Sequence, residues 1–345
     1  MGRIGKYSFT LDSKPRIVSS ASFVGDKEGQ GPLGAGFDCC IKDDTLGLES
    51  WEKAESRMFE SAVRLALAKI GLETDALSCL IGGDLLNQII SSGFAARELK
   101  APFLGLYSAC STITEALLLG GMLIEGGFAE LVACAASSHF SSVERQYRYP
   151  LEMGVQSTPT AQRTVTGAGC VLLQGREGKT PPKGRAFAHA AITGGTLGIV
   201  EDFGITDASN MGAAMAPAAA KTIARHFEDT GRSPADFDLV LTGDLGRFGT
   251  EMLHELMAKE GFNIEAVHED CGKLVFGEDP AVICGGSGAG CAPSVFSGHI
   301  LPKLEAGEYK RVLFLATGAL LSPLSSLQGE SIPAIAHAVV VEHIE

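Results

Sequence analysis

No stretch of this sequence reaches the roughly 18 consecutive apolar residues that a membrane-crossing helix needs. The opening MGRIGKYSFTLDSKP also lacks the apolar core of a secretion signal. A chain that is soluble when made, without a signal peptide, is therefore expected. Positive charge is scarce: 28 Lys and Arg stand against 41 Asp and Glu, a formal net charge of -13. That balance argues against a nucleic-acid face or a general face for anionic membranes, so an anionic ligand must find a local site. Cys-x-x-Cys pairs and His/Cys metal spacings are missing, and the nine cysteines are an odd number. No metal site and no disulfide scaffold is expected, only buried or reactive thiols in a reducing compartment. Aromatic residues make up only 7% while glycine numbers 43, a composition suited to close small-residue contacts in layered α/β packing.

What is present is enough apolar material for two packed halves: 345 residues, 45% of them hydrophobic. Apolar residues recur at helical spacing over 51–70, with Met58, Ala62, Leu65 and Ala66 on one face and Gly71 as the stop. Short apolar runs at 78–83 and 131–136 read as buried strands flanking a helix at 111–125. The same order returns as helix 217–229, strand 238–243, helix 291–306 and strand 311–317. Within it Gly83-Asp84-Leu85 aligns with Gly243-Asp244-Leu245, Cys110 with Cys291, and GAGCVLLQ at 167–174 with IAHAVVVE at 335–342. The chain thus reads as duplicated. Two halves, 1–180 and 181–345, are expected to divide in the Gly-, Pro- and charge-rich stretch 175–184.

The sharpest local signal is FLGLYSACSTITEALLLGG at 103–121: a strand, a small-residue turn, and a helix opening at Cys110 with Ser111 beside it. Free backbone N–H groups at such a helix start hold an oxyanion and lower a thiol pKa. A buried small hydrophobe is the plainer reading of a free cysteine. His139 follows strand 131–136, at the end where α/β clefts collect ligands; a loop histidine bonded to backbone is equally compatible.

The two halves, the Cys110 turn, TGAGCVLL at 166–173 and GGSGAGCAP at 285–293 resemble the thiolase and ketoacyl synthase superfamily. More narrowly, GPLG at 31–34, GGDLLNQ at 82–88, FSSVERQYRYPLE at 140–152, MGAAMAPAAAKT at 211–222, LTGDLG at 241–246 and TGALLSP at 317–323 resemble the stage V sporulation protein AD family. The resemblance implies a thiolase-like α/β fold: two pseudo-symmetric halves with central, mostly parallel sheets in αβαβα layers. It further implies a homodimer, made in the forespore and held peripherally at the spore inner membrane by the SpoVA membrane subunits. There it would bind dipicolinic acid, alone or as its calcium chelate, for uptake into the spore and release in germination. Catalytic partners do not carry over. Where condensing synthases have a histidine turn, this chain reads Gly243-Asp244-Leu245-Gly246; their Gly-Asn turn is replaced by Gly285 to Gly290, and no Gly-His-Pro occurs. A binder without a cofactor or catalytic role is expected, with Cys110 as a vestigial nucleophile. A condensing acyltransferase using Cys110 and an interaction scaffold with a vestigial pocket are the alternatives.

Dipicolinate is a planar dianion, so its site calls for N–H donors, a planar cation and a flat apolar wall. Arg145, Arg148 and Arg163, interleaved with Tyr147 and Tyr149, are candidates; ion pairing with Glu144 and Glu152 is the competing reading. Asp84 reads either as a cap for the following helix or as a carboxylate meeting the calcium of the chelate. The expected ligand site is thus the Cys110 helix start, walled by Asp84 and reached from the 139–163 segment.

Overall fold

A computed structural model describes residues 2–147, 158–175, 178 and 181–344. Its ten principal strands are β1 (Arg16–Val24), β2 (Cys79–Gly83), β3 (Phe103–Gly105), β4 (Leu131–Ser138), β5 (Gly167–Gln174), β6 (Ala190–Thr196), β7 (Leu239–Thr242), β8 (His268–Asp270), β9 (Arg311–Ala319) and β10 (Ala334–His343). They hydrogen-bond in the order β8-β7-β9-β10-β6-β1-β5-β4-β2-β3. Read outward from the centre, β1-β5-β4-β2-β3 is matched by β6-β10-β9-β7-β8. In each set only the second strand runs against the other four. The join is narrow, a single antiparallel pairing of Ala191 with Arg16.

Strand alternation makes the layers. On β4, Leu131, Ala133 and Ala135 pack outward with helices α1 (Trp51–Lys69) and α2 (Ile90–Leu99), while Val132, Cys134 and Ala136 face inward. On β9, Leu313 and Leu315 pack outward with α3 (Met211–Thr230) and α4 (Gly246–Lys259), while Val312, Phe314 and Ala316 face inward. Between the two inner faces lie helix α5 (Thr112–Glu125) and the helical segment 291–305. The result is five α/β/α/β/α layers, with sheets apolar on both faces as covered, mostly parallel strands require. Phe296 stacks on Phe314 at 4.3 Å between centroids, both fully buried. Truncating either to alanine is expected to cost about 3–5 kcal/mol.

Local chemistry sets the element ends. Ser50 caps α1 by accepting from Lys53 N at 3.3 Å, and Gly71, at φ +72, ends it. The buried face of α1 carries Met58, Ala62 and Ala66 as its spacing implies, but Leu65 is only partly buried and Glu55 is fully buried there. Ser137 and Ser142 donate to the two Glu55 oxygens at 3.1 and 3.0 Å. Helix α3 starts at Met211, six residues before the expected 217, because Asn210 caps it and the Pro217 ring is accommodated inside. Its Gly212 touches Gly249 of α4 so closely that a Cβ would lie 3.0 Å from backbone. The expected 291–306 helix widens to a π turn at Phe296–Ile300. Pro302 follows and has no N–H for the Gly298 carbonyl. Among the described residues no helix is long and apolar enough to cross a membrane. The expected 175–184 divide is described only at 175, 178 and 181–184.

Candidate functional site

After β3 the chain turns at Ala109, a non-glycine residue at φ +50, into a 3-10 turn (Ala109–Ser111) that leads into α5. Ser111 donates to Ser108 O at 2.7 Å and Thr112 to Ala109 O at 2.7 Å, which fixes this strained elbow. Gly318 of β9 packs against it so tightly that a Cβ would lie 2.5 Å from Ser108 O. The end of β9 is thereby held across a cavity from Cys110. The cavity, about 210 Å³, is walled by Leu85, Tyr107, Val143, Glu144, Tyr147 and Met211 and closed by Ser287, Gly288 and Ala319–Ser322. Tyr147 donates to Leu85 O at 2.6 Å and Tyr107 to Asn87 Oδ1 at 3.3 Å, so both rings are held as flat walls.

The Cys110 thiol sits at the buried end, facing the Asp244 carboxylate, the Ser287 hydroxyl and the Gly288 N–H. Burial pushes its pKa well above the usual thiol range, and the Asp244 charge pushes it further. Asp244 is fully buried: Thr317 Oγ1 donates to Oδ1 at 2.8 Å, and Gly288 N and Ser287 Oγ donate to Oδ2 at 3.1 and 3.3 Å. Burial raises its carboxyl to about 7; the Cys110 and Thr317 hydrogen bonds pull it back and the Asp270 charge adds to the rise. The proton therefore stays on sulfur, since the neighbouring carboxylate is far the weaker base. Such a pair presents a neutral thiol that can bind and position a ligand.

The other expected residues scatter. Asp84 does not line the cavity: Leu86 N donates to Oδ1 at 2.8 Å, and Ser92 N and Oγ donate to Oδ2, each at 2.7 Å. It is the cap at the start of α2 and touches the cavity only through its neighbour Leu85. Ser111 turns back to Ser108. His139 is buried; Nε2 donates to Asp44 O at 2.8 Å while Nδ1 accepts from Ser141 N, and burial lowers its pKa, so it is a neutral structural residue. Arg145 pairs with Glu52 and lies over the Trp51 ring, and Arg163 lies over the Phe140 ring at 4.0 Å, both away from the lining. Arg148, like Tyr149 and Glu152, lies outside the described residues. From the 139–163 segment the cavity receives Val143, Glu144 and Tyr147 instead, and no Lys, Arg or His is among the described lining residues. Among the described residues no His/Cys/Asp/Glu cluster is arranged for a metal ion. Asp244 was visible in the sequence as the second copy of Gly-Asp-Leu; Glu144 stood within the noted segment but without a signal marking it as lining.

A family model described as Stage V sporulation protein AD (SpoVAD) matches residues 5–342. The stage V sporulation protein AD of Bacillus subtilis (strain 168) is 43% identical over 338 residues, covering 98% of this chain and 97% of that one. Among solved structures, an OleA variant of Xanthomonas campestris superposes with TM-score 0.60 at 15% identity, over 97% of this chain and 99% of that one. The 3-oxoacyl-[acyl-carrier-protein] synthase III of Aquifex aeolicus gives 0.55 at 14%, over 95% and 100%. At those identities the likeness concerns the fold, which is thiolase-like.

Proposed function

The chain belongs to the stage V sporulation protein AD family, and from that premise we propose that it is a non-catalytic, dipicolinate-binding component of the spore membrane complex that takes dipicolinate up during sporulation and releases it in germination. The observation that carries this reading is the floor of the cavity. A superfamily nucleophile position is kept as a thiol by an adjacent buried carboxylate, while two tyrosine rings supply flat walls for a planar aromatic ligand. Ser287 and Gly288 line the cavity with a hydroxyl and an N–H that are shared with Asp244 and are neutral groups suited to a carboxylate. The experiment is calorimetric titration with dipicolinate, with and without calcium, alongside intact-mass analysis after incubation with short acyl-CoA. Saturable one-site binding with no acyl adduct is expected. Stoichiometric acylation lost in Cys110→Ala would establish the acyltransferase alternative, and neither binding nor acylation would leave the scaffold.

Assembly is part of the proposal. Strand β3 ends the sheet order, and Leu104 and Tyr107 beside it are 48% and 53% exposed, with Ile90 and Phe94 of α2 also exposed. A second copy adding its own β3 across a two-fold axis would cover this edge. Partner subunits would supply membrane attachment. A monomer by sedimentation at micromolar concentration, or spontaneous binding to protein-free liposomes, would contradict this arrangement.

A further inference from the structure

We propose that filling the Cys110 cavity with a carboxylate ligand is coupled to the uptake of one proton by Asp244, so that Asp244 is the residue that admits an anion into an acidic pocket. The inference rests on the dipicolinate reading above and adds to it how the charge of the ligand is accommodated.

The geometry poses the problem. Asp244 is fully buried, and Thr317, Ser287 and Gly288 are all neutral donors to it. The titratable groups that face it are Cys110 before α5, Asp270 at the end of β8, Cys271 just after it, and Cys291 at the start of the 291–305 segment. All four are acids, so among the described residues none of them offers positive charge. Glu144 adds a second carboxylate in the wall, 6% exposed and accepting from Thr164 Oγ1 at 2.8 Å. Asp244 lies just behind the lining: Ser287 and Gly288, which do line the cavity, donate to its Oδ2, so a ligand carboxylate seated on them is one hydrogen-bond layer from the Asp244 carboxylate. A second anion that close in a buried site favours the protonated form of the first.

Asp244 is prepared for that role, because burial already holds its carboxyl at about 7 and leaves it part-protonated at neutral pH. An arriving anion completes the protonation. The proton comes from solvent buffer and ends on an Asp244 Oδ, which removes the buried charge that would repel the ligand. Repulsion is thus relieved without a cation from the described lining residues. The Asp84 carboxylate cannot substitute, since backbone N–H groups occupy both of its oxygens.

The test is calorimetry with dipicolinate in buffers free of divalent cations, at pH 8, in a pair of buffers of different ionisation enthalpy. Uptake of close to one proton is expected, with affinity falling about tenfold per pH unit above pH 8 as the free carboxyl titrates. Asp244→Asn should bind with affinity independent of pH and enthalpy independent of buffer. Glu144→Gln should keep the proton uptake whatever its affinity. Binding by the parent protein that is flat in pH and insensitive to buffer would overturn the proton coupling while leaving the dipicolinate reading intact. Loss of uptake in Glu144→Gln would overturn the assignment to Asp244, a conclusion that holds even if Asp244→Asn fails to fold. No binding at any pH from 6 to 9 would sink the dipicolinate reading and this inference together.

Discussion

Two turns of the same sequence, Gly83-Asp84-Leu85 and Gly243-Asp244-Leu245, occupy equivalent places at the ends of β2 and β7, yet their carboxylates do opposite work. Asp84 is consumed locally, because the chain beyond it passes through Gln88 and Ile89, both left-handed at φ +62 and +46, before α2 begins. The N–H groups of Leu86 and Ser92 need an acceptor, and Asp84 is the one at hand. After Asp244, α4 starts at once, and the N–H groups of Leu245 and Gly246 go to Asp270 at 2.8 and 3.0 Å. Asp270 thus does for the second half what Asp84 does for the first. Asp244 is thereby released to face the Cys110 thiol, behind Ser287 and Gly288 of the cavity lining. A repeated motif fixes where a carboxylate starts; the acceptor demand of its surroundings decides what it does.

The largest effect expected from breaking this contrast is at Asp84. Asp84→Arg would bury a charge among donors at a position with no exposure. It should cost about 4 kcal/mol or more in urea unfolding. Dipicolinate affinity should fall more than tenfold as the Leu85 wall shifts. Asp84→Asn should also destabilise at every pH, because an amide NH2 would then oppose one of two rigid backbone N–H groups.

At Asp244 the same asparagine swap should do the reverse at high pH. A carboxyl whose folded pKa of about 7 lies above its unfolded value gives its full stability below the unfolded pKa and loses it as pH rises through 7. The stability of Asp244→Asn relative to the parent should therefore rise by about 2–3 kcal/mol between pH 5 and pH 8. Here two of the donors are rotatable hydroxyls that can adapt to the amide. Paired denaturation curves at the two pH values check it; a constant difference would show that Asp244 is ionised throughout.

Two smaller effects sharpen the picture. Cys110→Trp fills the space between the elbow and Asp244 and should weaken dipicolinate binding more than tenfold, about 1.4 kcal/mol, while the protein stays folded. Parent-like binding in this variant would move the site elsewhere. Gln88→Gly, at an exposed left-handed position, should stabilise by about 0.5 kcal/mol, strain relief of about 1–2 kcal/mol being partly offset by unfolded-chain entropy. A measurable loss would mean the Gln88 side chain does more than occupy the turn.

Much of the scaffold could be read in advance because its signals are local. The 51–70 periodicity became Trp51–Lys69, the run at 131–136 became Leu131–Ser138, and the stretch at 111–125 became Thr112–Glu125. The starts of α3 and of the π turn were not legible, since both depend on how Asn210, Pro217 and Pro302 settle against neighbours. Of the site, the Cys110 elbow was legible and its surroundings were not. The arginines drew notice as a cluster in sequence, but Trp51, Glu52 and Phe140 hold the two that are described, Arg145 and Arg163, away from the cavity.

The sequence by itself determined the repeated order of elements, the cysteine at a helix start, and the two Gly-Asp-Leu turns. The tertiary structure alone decided which aspartate meets the thiol. The reason is separation along the chain: Asp84 takes donors 2 and 8 residues away, within reach of local pattern. Asp244 takes donors 43, 44 and 73 residues away, which only the packing of β9 and the Gly285–Gly290 turn against β7 can deliver.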